Sequence, residues 1–183
     1  MDKKNVSWAK PKLTGAIFVA PTGTTMPTDA TTELDEAFKN LGYVSEDGVS
    51  NENSPETDTI KSWGGDSILV TQSEKNDIFS FTLVEAVNID VLKTVFGENN
   101  VQGSIDTGIT IKATSEPLKD QALVIDMILK DGIMKRIVIP NASINGVEEI
   151  TYSDEDPIGY GVSFLAIRDE SGVTHYEYIT KSA

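Results

Sequence analysis

The chain has 183 residues, no cysteine, one histidine and a formal net charge of −14, with 39% hydrophobic and 24% charged residues. That length suits one domain with a sizeable core, and the composition is that of a folded chain rather than a disordered one. The charge opposes binding to nucleic-acid phosphates or anionic membranes, and the missing cysteines exclude disulfides, thiol catalysis and cysteine-ligated zinc.

Residues 1–12 are charged and lack an apolar core, so no signal peptide is expected, and no apolar stretch reaches the roughly 18–20 residues of a spanning helix. These twelve residues are read as an N-terminal arm of a single domain covering residues 1–183. Gly15 to Ala20 is a short apolar run closed by Pro21, Gly23 and Pro27, the pattern of a first strand. From Asp29 to Leu41, Leu34, Ala37, Phe38 and Leu41 fall at helical spacing and suggest a short helical turn.

Asp47 to Thr57 holds one sizeable apolar residue, Val49, and reads as a long surface loop. Such a segment cannot repay its ordering entropy without a partner, so it is expected to be flexible in a free subunit and ordered on assembly. Thr59 to Trp63 and Ser67 to Thr71 read as strands around Gly64-Gly65-Asp66. Asp77 to Val87 alternates cleanly, with Phe79, Phe81 and Leu83 on one face and Ser80 and Thr82 on the other. The one helix expected is Ile89 to Phe96: Asn88 caps it, Asp90 suits its positive end, and Gly97 closes it in a left-handed conformation. Its stripe of Val91, Leu92, Val95 and Phe96 must dock on a sheet.

Leu123 to Lys130 and Ile133 to Ile139 flank Asp131-Gly132, a pair suited to a two-residue hairpin turn. That turn sets Lys130 opposite Ile133, Leu129 opposite Met134, and Asp126 opposite Ile137. One face then carries Leu123, Ile125, Met127, Leu129, Met134 and Val138. The other carries Val124, Ile128, Ile133, Ile137 and Ile139, with Asp126 and Lys135. Both faces are largely apolar, so both need cover, and oligomerisation would supply it. Gly159 to Arg168 and Val173 to Thr180 complete the strands, joined by a turn at Asp169 to Gly172. The fold class is mainly β, with one short α-helix and no internal repeat.

Catalytic chemistry finds little footing. His175 lies in an alternating strand with no second histidine to share a metal, and reads as a solvated or paired side chain rather than a catalytic base. Asp154-Glu155-Asp156-Pro157 lacks the spaced ligands of a calcium loop and reads as a solvated turn. Gly159-Tyr-Gly161 is followed by strand residues and is no dinucleotide fingerprint. No catalytic residue, cofactor or metal ligand is assigned, and the chain is read as a non-enzyme.

The phrases Leu41-Gly-Tyr-Val-Ser-Glu-Asp-Gly48 and Ile60-Lys-Ser-Trp-Gly-Gly-Asp66 resemble the major tail tube proteins of long, non-contractile-tailed bacteriophages. Ile137-Val-Ile-Pro-Asn-Ala142, Ile150-Thr-Tyr-Ser-Asp154 and Ile158-Gly-Tyr-Gly161 extend the likeness, in matching order, over most of the chain. The resemblance implies a β-sandwich or half-barrel subunit with one flanking helix. It implies hexameric rings that stack into a tube, with inner sheets joined edge to edge around a lumen. It also implies an early loop that reaches the adjacent ring, here Glu46, Asp47, Val49, Asn51, Glu52, Asn53, Pro55 and Glu56. The implied partners are further copies of the chain, a tape-measure protein and tail terminator or distal tail proteins. Genomic DNA would pass through the lumen without specific binding, no membrane is involved, and assembly would occur in the host bacterial cytoplasm. Ile125, Ile128, Ile133 and Ile137 are the hairpin residues expected at a core or assembly contact, and the lumen is expected to present acidic or neutral groups. The rival reading is a β-sandwich binding module, such as a carbohydrate-binding domain, with Trp8, Trp63 and the tyrosines as a stacking platform.

Overall fold

The computed structural model describes residues 1–181, with the side chain of Ser73 outside that description. A short strand β1 (Ala9–Pro11) precedes β2 (Ile17–Pro21) and a two-residue β3 (Lys39–Asn40). Two long strands, β4 (Val44–Lys61) and β5 (Ser67–Leu83), form an antiparallel hairpin before the single α-helix, α1 (Ile89–Phe96). A small separate hairpin, β6 (Val101–Ser104) with β7 (Gly108–Ile111), follows. The C-terminal half contributes β8 (Gln121–Leu129), β9 (Ile133–Val147), β10 (Tyr160–Ala166) and β11 (Tyr176–Lys181).

One open nine-stranded sheet runs in the order β3-β2-β8-β9-β10-β5-β4, with β1 added to β8 and β11 added to β9. On the edge away from β8, the long β9 serves two partners in succession. Ile133–Val138 pair with β11, and Ala142–Val147 pair with β10. Side chains from β2, β5, β8, β9 and β10 meet in one core with Val91, Leu92 and Val95 of α1, so the helix docks on that face of the sheet. This is the mainly β architecture with one short helix that the sequence leads one to expect, and its sheet, left open, is consistent with the β-sandwich or half-barrel that the resemblance implies.

The helix follows its sequence signals. The Asn88 side chain accepts the Asp90 N–H, and Val91, Leu92 and Val95 are buried. Gly97 has the positive φ expected of a closing glycine, 96°, but its ψ of 140° lies outside the left-handed helical region. In β5, Phe79, Phe81 and Leu83 face the core, as the alternation requires.

Four expectations are corrected. Residues 29–38 form bends and turns and Lys39–Asn40 the short strand β3, not a helical turn. The Asp29 carboxylate accepts the N–H groups of Thr31 and Thr32, and Asp35 accepts that of Ala37, so side chains take donors a helix would need. Asp47 to Thr57 is not a loop but part of β4, paired to β5 from Val49 to Lys61. An edge strand asks only for backbone pairing on one side, which polar residues supply as well as apolar ones.

The third correction concerns the β8–β9 register. The Asp131-Gly132 turn is present, with φ of 61° and 74° and the Ile133 N–H bonded to the Lys130 carbonyl. Beyond it, Ile128 stands opposite Met134, so two residues of β8 face one of β9 next to the turn. Leu129 therefore does not face Met134; it pairs with Ala9 of β1. From Met134 to Ile139 each β9 residue moves by one, so Asp126 stands opposite Arg136 rather than Ile137, until a second irregularity between Leu123 and Gln121 sets Gln121 opposite Ala142. The β9 side chains exchange faces with respect to β8. Ile137 and Ile139 join Leu123 and Ile125 in the main core, while Val138 joins Val124 in a second cluster.

The fourth concerns cover. The second face is closed within the chain: Phe38 is buried against it, with Phe18, Met26, Leu34, Ala37, Tyr176 and Tyr178 packed around. No partner is required to bury either face of the hairpin base.

Candidate assembly surface

The β10–β5 ladder ends at Leu165 opposite Ile78. From Asp77 outward β5 is accompanied only by β4, and the ribbon continues to the pair Lys61–Ser67. Eight residue steps from Asn53 to Lys61 carry it roughly 27 Å from the sheet at about 3.4 Å per residue. Residues 51–61 of β4 are exposed throughout.

The tip is a tight turn. Ser62 N–H donates to the Asp66 carbonyl at 2.7 Å, Gly65 N–H to the Ser62 carbonyl at 2.9 Å, and Gly65 has a φ of 92° that a side chain would resist. Around it stand Ile60, Trp63, Ile68, Leu69 and Val70, all exposed, with Trp63 entirely in solvent. Ile60 and Leu69 are cross-strand partners that share one face, while Val70, the next residue of β5, lies on the other, so the end of a polar ribbon is apolar on both faces and suited to a protein contact. The ribbon from Glu52 to Asn76 carries five acids and two lysines, and Pro55 sits where an edge strand tolerates a missing donor.

At the base, the buried Asp77 carboxylate accepts from Asn51 Nδ2 at 2.8 Å and from Thr174 Oγ1 at 2.5 Å, and meets His175 Nδ1 at 2.5 Å. Burial alone would raise the pKa of Asp77; the bonds from Thr174, Asn51 and His175 outweigh it and leave the carboxyl below its ordinary range. His175 lies just before β11, not in a strand, and packs edge-on against Phe79.

Of the residues expected to reach a neighbouring ring, Val49 and Asn51 lie near the base of the ribbon, and Glu52, Asn53, Pro55 and Glu56 lie along its first half. Glu46 and Asp47 precede its regular pairing with β5. The apolar tip itself falls outside that set, although Ile60 and Trp63 belong to the stretch from Ile60 to Asp66 that carries the family resemblance. What the sequence did not reveal is that 59–71 and 47–57 are the far and near parts of one arm. Ile125 and Ile137 are core residues, whereas Ile128 and Ile133 are half-buried near the turn.

The N-terminal arm is anchored at its end: β1 pairs with β8, and Lys12 Nζ reaches Asp126 at 3.1 Å. Asp154, Glu155 and Asp156 form an exposed turn in which Ser153 Oγ accepts two backbone N–H groups. Among the described residues, no three His, Asp or Glu side chains are placed to hold a metal ion. No helix among them is long and apolar enough to cross a membrane.

The described residues thus form an open, mainly β sheet with one docked helix and a long projecting hairpin. The family model described as phage tail tube protein matches residues 8–183, and the chain belongs to that family. It is thus a structural component of the phage tail and of the virion. Comparison with curated proteins gives no match.

Proposed function

We propose that this chain is the repeating subunit of a long, non-contractile phage tail tube, in which six copies form a ring and rings stack into a conduit for DNA. The observation that carries this reading is the β4–β5 ribbon, which leaves the sheet at Asp77 and ends in the exposed cluster of Ile60, Trp63, Ile68, Leu69 and Val70. A free two-stranded ribbon is marginal in water, and burying such a tip against the next ring stabilises both. Within a ring, the open outer edge of β4 offers backbone donors and acceptors to an adjacent subunit, which removes an edge that otherwise invites aggregation. A chain of −14 net charge lets DNA slide, because it offers few cations to exchange for phosphate counterions.

The subunit acts without catalysis. Tape-measure and tail terminator or distal tail proteins would be its partners at the lumen and the tube ends, with assembly in the host cytoplasm. The rival binding-module reading rests on Trp8 and Trp63, which stand on separate elements, the N-terminal arm and the ribbon tip, and no observation favours it.

Purified chain examined by size-exclusion chromatography and negative-stain microscopy tests the proposal. Rings with six times the 19.8 kDa subunit mass, or tubes built from them, are expected. A strict monomer at all concentrations that binds glycans would overturn it.

A further inference from the structure

We propose that Asp77 is a positioning residue for the β4–β5 ribbon: its carboxylate clamps the ribbon's base to the segment leading into β11 and fixes the direction in which the tip points. The proposal rests on reading that ribbon as the ring-to-ring contact.

Asp77 is the first residue of β5 beyond the last rung shared with β10, Leu165–Ile78. It stands where sheet support ends. A two-stranded ribbon leaving a sheet twists and bends readily, and its aim must be set at the base. A rotation of about 20° there would carry a tip roughly 27 Å away through about 9 Å, nearly two strand spacings.

Three elements converge on the one carboxylate. Asn51 of β4 donates to Oδ1 and also reaches the Ile78 carbonyl at 3.3 Å. Thr174 and His175, from the connector between β10 and β11, meet Oδ2. The connector is itself held: the Asp169 carboxylate accepts the Ser171 and Val173 N–H groups at 2.8 and 3.0 Å and the Tyr176 hydroxyl at 2.6 Å. His175 is in turn braced by Phe79, whose ring centroid lies 5.2 Å away and whose side chain belongs to the main core. The clamp therefore ties both ribbon strands to a fixed point of the body. Asp77 is only 2% exposed, and an apolar residue would fill that space without the cost of desolvating a charge. What the carboxylate adds is direction, since its bonds are made only in one orientation of ribbon and connector.

The chain has no cysteine, so spin labels can be placed at will in the 183-residue chain. One pair, Asp66→Cys with Glu98→Cys, reports the distance from tip to body; a second, Asp58→Cys with Thr71→Cys, reports pairing within the ribbon, where these two residues are partners. In otherwise unsubstituted protein both distance distributions are expected to be narrow. Asp77→Ala, and separately His175→Ala and Thr174→Val, should broaden the first at least twofold and leave the second narrow, with His175→Gln restoring most of the order. An unchanged tip-to-body distribution in all three variants would overturn the clamp. Broadening of the ribbon pair as well would overturn it in favour of a folding role. Polymer yield separates the two proposals: if Trp63→Ala forms tubes as readily as the unsubstituted chain, the stacking contact fails while the label distances still decide the clamp.

Discussion

Asp126 and Arg136 face each other across β8 and β9 and close a buried bidentate pair, Nε to Oδ1 at 2.6 Å and a terminal nitrogen to Oδ2 at 2.9 Å. The remaining Arg136 nitrogen donates to the carbonyls of Asp29 and Thr32, at 3.1 and 2.7 Å, and so pins the 26–38 segment over the second face of the sheet. With Arg136 only 2% exposed, removing one partner strands a buried charge. Asp126→Ala is expected to cost about 3–5 kcal/mol in denaturant unfolding. The double variant Asp126→Leu with Arg136→Met is expected to lose clearly less than Asp126→Ala alone, while Lys12→Ala, at the half-buried rim of the pair, should cost about 1 kcal/mol.

Ile125 and Ile128 probe opposite faces of β8. Ile125 is fully buried in the main core, and Ile128 is half-buried opposite Met134 and Lys10. Ile125→Asp is expected to give unfolded or insoluble protein, because an unpaired buried carboxylate consumes several kcal/mol of an ordinary stability of about 5–15 kcal/mol. Ile128→Asp is expected to leave a folded chain. Circular dichroism on both variants checks the difference.

Asp29, Asp77 and Asp169 are all held below the ordinary carboxylate range. For Asp29 the cause is first the Thr32 hydroxyl, and for Asp169 the Tyr176 hydroxyl. In each case the unfolded chain binds the proton more readily than the folded one. Their contribution is present above the unfolded value of about 4 and is lost as pH falls through the lower folded values. Thermal melts are expected to be flat near neutrality and to fall steeply below about pH 4, with Asp77→Asn showing a shallower acid slope.

Gly103 has a φ of 94°, and a Cβ there would collide with the Gly108 carbonyl across the β6–β7 hairpin. A backbone oxygen cannot rotate away as a side chain could. Gly103→Ala is expected to destabilise by more than the roughly 1 kcal/mol of a simple positive-φ penalty and to raise amide exchange across 101–111. Gly108→Ala, at a φ of 89° with open space around it, should cost only that penalty.

The helix and the β5 core face were legible because each depends on local signals: a cap and a stripe in one, strict alternation in the other. The Asp131-Gly132 turn was legible too, but not the extra residue beside it, and that one residue hid the Asp126–Arg136 pair by moving β9 one step. The outer strands of the ribbon, at Thr59 to Trp63 and Ser67 to Thr71, were legible, but the inner stretch of β4 was not. Backbone pairing along an edge leaves no apolar period from Asn51 to Asp58, and Asp77 shows itself only when the chain brings Thr174 and His175 to it. The β6–β7 hairpin carries too few apolar residues to stand out, and its two positive-φ glycines, Gly103 and Gly108, were its one available sign.

The most direct test of the ribbon as the ring-to-ring contact is the tube-forming equilibrium of Trp63→Ala, followed by sedimentation and negative-stain microscopy against the unsubstituted chain. Trp63 is fully exposed in the subunit, so its removal should leave the melting transition within about 0.5 kcal/mol of the original. Buried at every ring junction, it should contribute about 2 kcal/mol per contact, so tube formation should require at least tenfold more protein while isolated rings persist. Tubes of unchanged length at unchanged concentration would contradict the account.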